Sequence, residues 1–458
     1  MQRTLLFKII AILVLTLLIC IPMAMIQGTI VERSQFRTQA IASIAADSVR
    51  EQTIIGPVVV IPYSDQFEEV VTDKDGAKKT ITSTVQRRQL VFPNSLSING
   101  TIDTDRRYRG IHQVLVYSGQ HKFWGDFVLP AKADLPRANA TSRIAIGRPA
   151  ITLGVEDVRG IRNIPKINWG GKTIEFQQGS ALRSFASGVH ALLDAGAMEK
   201  EEPVKFAFDL GLDGIERQHF APVAKNNEIV LKSSWAHPQF GGRFLPLARE
   251  RTITDDGFSA TWRISSLSTG TQQQLLAMEA QSAPREMTLA SVDRFSVGFI
   301  EPVNVYSLAE RATKYGLLFV ALTFAAFFMF EVLKRLPIHP VQYLLVGLAL
   351  VLFFLLLVSL SEHIAFVHAY LIASVGCIVL IGFYLSFVLG DWKRGMGFGV
   401  ALTMLYGALY GLLISESNAL VMGSILLFAI LAAVMVATRK VDWYQVGKAE
   451  PVAGVGVA

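Results

Sequence analysis

Apolar residues in this chain gather into one run near the N-terminus and five near the C-terminus, with a long stretch of short alternating segments between them. The first run, Leu5 to Ile26, is about 20 residues long and can cross a hydrocarbon core of about 30 Å. The others are Gly316–Leu333, Val341–Leu360, Ile364–Leu389, Met396–Ile414 and Ala419–Ala437, each of spanning length. The N-terminal run reads as an uncleaved signal anchor. A cleaved signal has an apolar region of only about 7–15 residues ending at small residues, whereas this one continues through Pro22-Met23-Ala24-Met25-Ile26.

Between the first two apolar runs the period changes. Val31 to Gln52 reads as an amphipathic helix leaving the membrane, with Phe36, Ala40, Ile44 and Ala45 along one face, stopped by Gly56-Pro57. Strands are predicted at Val58–Ile61, Arg88–Phe92, Ile111–Tyr117, Lys122–Leu129, Ile144–Leu153, Val204–Leu210, Ile229–Ser233 and Phe258–Ile264, separated by Gly, Pro, Asn or Asp. Asp73-Lys74-Asp75-Gly76 has the composition of a hairpin tip, and Thr271–Ala280 that of an isolated helix. The fold class expected is a membrane α + β protein. It has an N-terminal signal-anchor helix (1–30), a large periplasmic β-rich domain, sandwich or barrel-like (31–314), a bundle of five transmembrane helices (315–438) and a cytoplasmic tail (439–458).

Composition agrees with a membrane location: 51% of residues are hydrophobic and only 17% charged, against roughly 25% charged in soluble domains. Charge also orients the helices. Lys334-Arg335, Lys393-Arg394 and Arg439-Lys440 fall on alternate connections or the end, while Ser361-Glu362-His363 and Ser415-Glu416-Ser417-Asn418 hold no Lys or Arg. The positive-inside bias then puts both termini of a six-helix protein in the cytoplasm and the large domain outside. Arg311 and Lys314 run against this, at a boundary where a large translocated domain weakens the rule. The net charge of +6 is not gathered into a basic arm, so no nucleic-acid partner is expected. Both cysteines, Cys20 and Cys377, lie in apolar runs, which excludes a disulfide framework from the polar domain.

No catalytic signature is intact. Gly170-Gly171-Lys172-Thr173 ends like a phosphate-binding loop, but Lys166 stands where such a loop requires glycine. The histidines lack metal-ligand spacing, so no metal, cofactor or catalytic residue is expected. Candidate binding residues remain. Glu362, His363 and Glu416 lie on the outer connectors and together form an outer polar rim; His368 is a polar group inside the fourth apolar run, facing inward. Trp235 and His237 lie in an aromatic loop that is either a packed corner or a ligand contact. Glu331 sits near the inner rim, one turn before Lys334-Arg335, and is expected to pair there.

Several blocks resemble the CreD family. They are Glu310-Arg311-Ala312-Thr313-Lys314-Tyr315-Gly316, His339-Pro340-Val341-Gln342-Tyr343, Ser359-Leu360-Ser361-Glu362-His363 and Asp442-Trp443-Tyr444. Trp235-x-His237-Pro238 with Phe240-Gly241-Gly242-Arg243-Phe244-Leu245-Pro246 fits as well. The resemblance implies an inner-membrane protein of a Gram-negative bacterium, concerned with cell-envelope integrity and with signalling under envelope stress. It brings no catalytic residues. The function expected is envelope maintenance through a periplasmic binding domain coupled to the transmembrane bundle. The alternative is a membrane enzyme or lipid-handling protein using the outer polar rim. Besides the lipid bilayer, the partner classes left open are an envelope protein, a glycan or a lipid, and no oligomeric state is implied.

Overall fold

A computed structural model describes residues 2–72, 78–110, 112–183, 185–194, 202–280, 292–299, 301, 305–334, 338–415 and 418–439. The chain divides into two compact units, one formed by Met1–Gln39 with Val303–Ala458 and the other by Ala40–Pro302.

The first unit is helical. It holds most of α1 (Gln2–Asp47), then α3 (Val305–Lys334), α4 (Pro340–Ser361), α5 (Phe366–Val388), α6 (Trp392–Ile414) and α7 (Ala419–Thr438); α2 (Thr271–Ala280) belongs to the other unit. Among the described residues, five helices are long and apolar enough to cross a membrane: α1, α3, α4, α5 and α6. The sixth expected span corresponds to α7, whose segment Val421–Val436 is shorter. Local sequence sets the helix starts. His339 caps α4 in a capping box with Gln342, with Pro340 in the first turn, and Asp391 caps α6 by accepting from the Lys393 amide. Helices α3 to α6 pack in sequence order, with α6 returning to α3 and α7 beside α6. Their core is aromatic, built on Phe319, Phe327, Phe353, Phe354, Tyr370 and Tyr406. Hydroxyls there find partners inside the protein, as an apolar solvent demands. Tyr370 donates to the Tyr406 carbonyl (2.7 Å) and Tyr406 to the Cys377 sulfur (3.0 Å).

The second unit is a β-sandwich, and its strands alternate buried and exposed residues as the short apolar segments predict. The first sheet has the order β14-β17-β12-β1-β6-β10-β9. In chain order these are β1 (Gln52–Thr72), β6 (Ala150–Val155), β9 (Gln177–Gln178), β10 (Gly188–Leu192), β12 (Arg217–Ala221), β14 (Pro238–Gly242) and β17 (Phe295–Phe299). The far half of the long β1 pairs instead with β2 (Lys78–Val91) and β5 (Arg143–Ile146). The second sheet has the order β15-β16-β13-β3-β4-β11-β7-β8. Its strands are β3 (Ser95–Arg109), β4 (His112–Phe127), β7 (Lys166–Trp169), β8 (Lys172–Glu175), β11 (Val204–Ile215), β13 (Asn226–Ser233), β15 (Arg251–Thr254) and β16 (Gly257–Ser265). One core serves both sheets, with Val58, Ile151 and Phe295 from the first meeting Ile98, Phe123, Leu210 and Trp262 from the second. The chain changes sheets between β11 and β12 at Glu216, the single described non-glycine residue with positive φ (51°). Helix α2 starts where the Asp293 carboxylate accepts from the Gly270 amide (2.9 Å) and pairs with Arg243 (2.6 Å). Burial works against ionisation of Asp293, but these partners outweigh it and hold the carboxyl below its usual range.

Two expectations are corrected here. Gly56-Pro57 does not end the helix, which stops at Asp47; the pair lies inside β1, where the register with β6 shifts between Ile55 and Val58. At this bulge Gly56 has φ +120°, and a side chain would meet the Thr152 carbonyl. Phe36 is 42% exposed rather than sharing the buried face of Ala40 and Ile44. Ile44 packs on Val114 and Ile215. The Gly170-Gly171 pair is the tip of the β7–β8 hairpin, both residues having positive φ, as a type I′ turn requires. The expected hairpin tip Asp73–Gly76 lies outside the described residues, although β1 and β2 flank it as antiparallel arms.

His121 is the most constrained ionisable group of the sandwich. It is 1% exposed, and side chains at Gly100 and Gly119 would strike its ring. Its Nε2 lies 2.8 Å from the Gln218 amide nitrogen, while its Nδ1 has no hydrogen-bond partner among the described residues. Burial pushes its pKa down from 6.5 to about 4, so the ring is neutral near pH 7. As pH falls, the unfolded chain protonates first, and stability is lost between about 6.5 and about 4, by up to about 3 kcal/mol. His121→Met should therefore flatten the acid side of the sandwich's stability profile, measured by thermal unfolding of the full chain across that window.

Candidate functional site

Polar chemistry in the helical unit is concentrated at two levels of α1. Near its start, Lys8 forms an ion pair with Glu331 of α3, and the Tyr343 hydroxyl of α4 donates to the other carboxylate oxygen (2.8 Å). Further along, Arg33 faces Glu362, the residue closing α4, at 3.7 Å, and the Tyr306 hydroxyl of α3 donates to the same carboxylate (3.1 Å). Each cluster thus holds a nearly buried carboxylate, a cation from α1 and a tyrosine hydroxyl; the Glu331 and Glu362 side chains are only 7% and 10% exposed. At about 1.5 Å per residue, Lys8 and Arg33 are roughly 37 Å apart along the helix. That exceeds a hydrocarbon core of about 30 Å, so the two clusters fall at opposite interfaces. Beside the second cluster, α1 and α3 leave a cavity of about 280 Å³ lined by Ser34, Gln35, Thr38, Tyr306, Ser307 and Glu310.

The expected site residues separate in this arrangement. Glu362 enters the Arg33–Tyr306 cluster, whereas His363 is exposed on the connector, and Glu416 lies outside the described residues. His368 is exposed, on the face of α5 opposite Ala369, Tyr370 and Ala373, so the inward orientation expected of it is corrected. It sits in the first turn of α5, two residues after the buried Phe366 and on the other side of the helix. Glu331 takes Lys8, on a helix far away in sequence. Trp235 and His237 form a packed corner. The indole donates to the His237 carbonyl (2.9 Å), the two rings meet edge to face at 6.2 Å, and the indole packs on the sandwich core while the imidazole is exposed. Arg33, Tyr306 and Tyr343 were missed by sequence reasoning. The available signal was the spacing of Lys8 and Arg33 on one helix, which matches the separation of the two interfaces. Among the described residues, no group of three or more His, Cys, Asp or Glu is placed to hold a metal ion.

A six-helix plan carrying acidic anchors at these levels can be compared with known proteins. The sequence profile described as "Inner membrane protein CreD" matches residues 4–444. Inner membrane protein CreD of Escherichia coli strain K12 is 35% identical over 435 residues, covering 93% of this chain and 91% of the relative. The chain belongs to the CreD family. It is therefore an inner-membrane protein, and its apolar helices sit in a lipid bilayer. Solved structures add little. Two crystal structures of an M1 zinc metallopeptidase from Deinococcus radiodurans, one with a Tyr-Ser-Ala substrate, align with TM-scores of 0.21 and 0.18 at 9% and 8% identity. Each alignment covers 45% of this chain and 42% of the other. Values this low carry no statement about the fold of CreD.

The Lys8–Glu331 pair has a measurable signature. Removing Lys8 leaves the nearly buried Glu331 charge uncompensated and removing Glu331 leaves the partly buried Lys8 ammonium without its partner, whereas removing both leaves an apolar contact. Lys8→Met and Glu331→Met should each lower the unfolding temperature of the detergent-solubilised protein, and the double variant should lie closer to wild type than either single one. Additive losses would mean the two side chains act independently.

Proposed function

We propose that this protein supports integrity of the cell envelope, with its β-sandwich acting in the periplasm as a binding domain that the transmembrane helices anchor. The supporting observation is how the sandwich is attached. It is inserted between α1 and α3, and these helices meet through Met23, which fills the space left by Gly316. The polypeptide enters and leaves the sandwich through helices that contact each other, so a ligand-dependent change in the sandwich acts on one helix pair. CreD membership supports the membrane location, and the alternating basic connectors support this orientation, with both termini cytoplasmic and six helices in the membrane.

The cysteine-free sandwich makes the orientation testable. Lys172→Cys, in an exposed hairpin, should react with a membrane-impermeant maleimide in cells whose outer membrane alone is permeabilised. Lys393→Cys, on a basic connector, should react only after the inner membrane is broken. A deletion strain should lose survival in detergent and recover it with the full chain. Labelling of Lys172→Cys only after lysis, or unchanged survival of the deletion strain, would sink this reading.

A further inference from the structure

The outer face of the second sheet carries a groove of about 530 Å³ that no described residue fills. This lies within the range of about 300–1,000 Å³ usual for small-ligand sites. Strand register explains the hollow. On the solvent side, Trp124 of β4, Ala207 of β11 and Asn168 of β7 lie directly across from one another on three adjacent strands. The small residue in the middle leaves a gap between the indole and the carboxamide. The next pair towards the centre of the sheet places Lys122 opposite Asp209, and Ile164 stands on the rim.

Two features distinguish this groove from an ordinary solvated sheet face. Trp124 is 46% exposed and Ile164 66%, beside the polar side chains of Lys122, Asn168 and Asp209. Among the described residues, the Trp124 indole makes no hydrogen bond, and neither Lys122 nor Asp209 has an ion-pair partner within 4 Å. Asn168 uses its carbonyl oxygen on the Gly171 amide (3.0 Å), which fixes the carboxamide and leaves its NH₂ to face the groove. Lys166 also lines the groove but is paired with Glu175 (3.7 Å), so among the described residues Lys122 and Asp209 are the lining charges without an ion-pair partner.

We propose that this groove binds a neutral oligosaccharide, with Trp124 as the stacking platform and Asn168, Lys122 and Asp209 as the partners of the sugar hydroxyls. A pyranose has an apolar C–H face and a polar rim, and only a site joining an exposed aromatic face to fixed planar donors and acceptors satisfies both. A nucleotide or other polyanion would find Asp209 against it and, of the two lining lysines, one already paired with Glu175. An apolar peptide would leave Lys122 and Asp209 desolvated without partners. The assignment rests on the binding-domain reading given above and narrows its ligand to a class.

The test uses the full-length protein in lipid nanodiscs, titrated calorimetrically with a β-1,4-linked N-acetylglucosamine tetramer, with maltotetraose, and with a sulfated heparin tetrasaccharide. Binding of at least one neutral tetramer is expected, weakened by about tenfold or more in Trp124→Ala. It should be abolished in Ala207→Tyr, which fills the gap without touching the core, and unchanged in Lys225→Ala on a different surface. The proposal is overturned if neither neutral tetramer binds, if the sulfated sugar binds more tightly than both, or if Trp124→Ala and Ala207→Tyr bind like wild type. Envelope complementation is measured separately in cells, so failure of the sugar assignment leaves the binding-domain reading standing, and loss of complementation leaves the titration standing.

Discussion

The two ion pairs made by α1 are the constraint on which the helical unit depends. In lipid there is no hydrophobic force to press one apolar helix on another, and association must come from close packing and polar contacts. Helix α1 offers little packing area. Leu13, Leu17, Ile21 and Met25 are each more than half exposed within the chain, and its buried stripe is Ile19, Met23, Ile26 and Ile30, one side chain per turn. Glycines let that stripe seat itself: Gly316 admits Met23, and Gly347 admits Ile19. Such a stripe fixes which face is buried but resists sliding along the axis only weakly. Lys8 on Glu331 and Arg33 on Glu362 supply the axial register, one at each interface, and a shift of one turn would break both. The tyrosine hydroxyl at each carboxylate offsets part of the cost of drawing it out of water.

The sandwich depends on a different rule, close approach rather than charge. Its interior is filled by stacked aromatic side chains such as Phe123 on Phe208 and Trp262 on Phe295. His121 fits among them because neither Gly100, opposite it on β3, nor Gly119, two residues before it on β4, carries a side chain. The charge of an imidazole would be unsupported there, and burial keeps it neutral. The domain thus tolerates an ionisable group at its centre only in the uncharged form, which ties its stability to pH.

How much of this was legible in the sequence follows from how local each determinant is. Length and apolarity located α3 to α6, and the helical composition of Thr271–Ala280 located α2 to the residue. The alternation Leu96, Ile98, Ile102 also marks β3, but Asn99-Gly100 inside it has the composition of a turn; the glycine is there for His121, a contact between different strands. Gly56-Pro57 misled in the same way, because a bulge and a helix stop use the same residues and differ only in what lies across the sheet. The acidic residues Glu331 and Glu362 were visible, and their partners were not. Lys8 and Arg33 come from a helix more than 300 residues earlier, and nothing near the carboxylates in sequence announces them.

The contrast between paired and unpaired polar groups is what separates scaffold from binding surface in this molecule. Glu331 and Glu362 are enclosed and already hold the partners that their charge requires, so their chemistry is spent on holding α1 in place. Asn168, Lys122 and Asp209 lie in the open beside an indole that makes no hydrogen bond among the described residues, on a strand trio whose middle residue is too small to fill the space. Exposed polar groups cost nothing in water, so that face owes the fold no particular residue. An exposed tryptophan adds nothing to folding that a smaller polar residue would not supply, while a ligand with one apolar face gains from it directly. The groove is therefore where the sequence of the sandwich exceeds what its fold needs, and the carboxylates of the helical unit are where sequence and fold are matched.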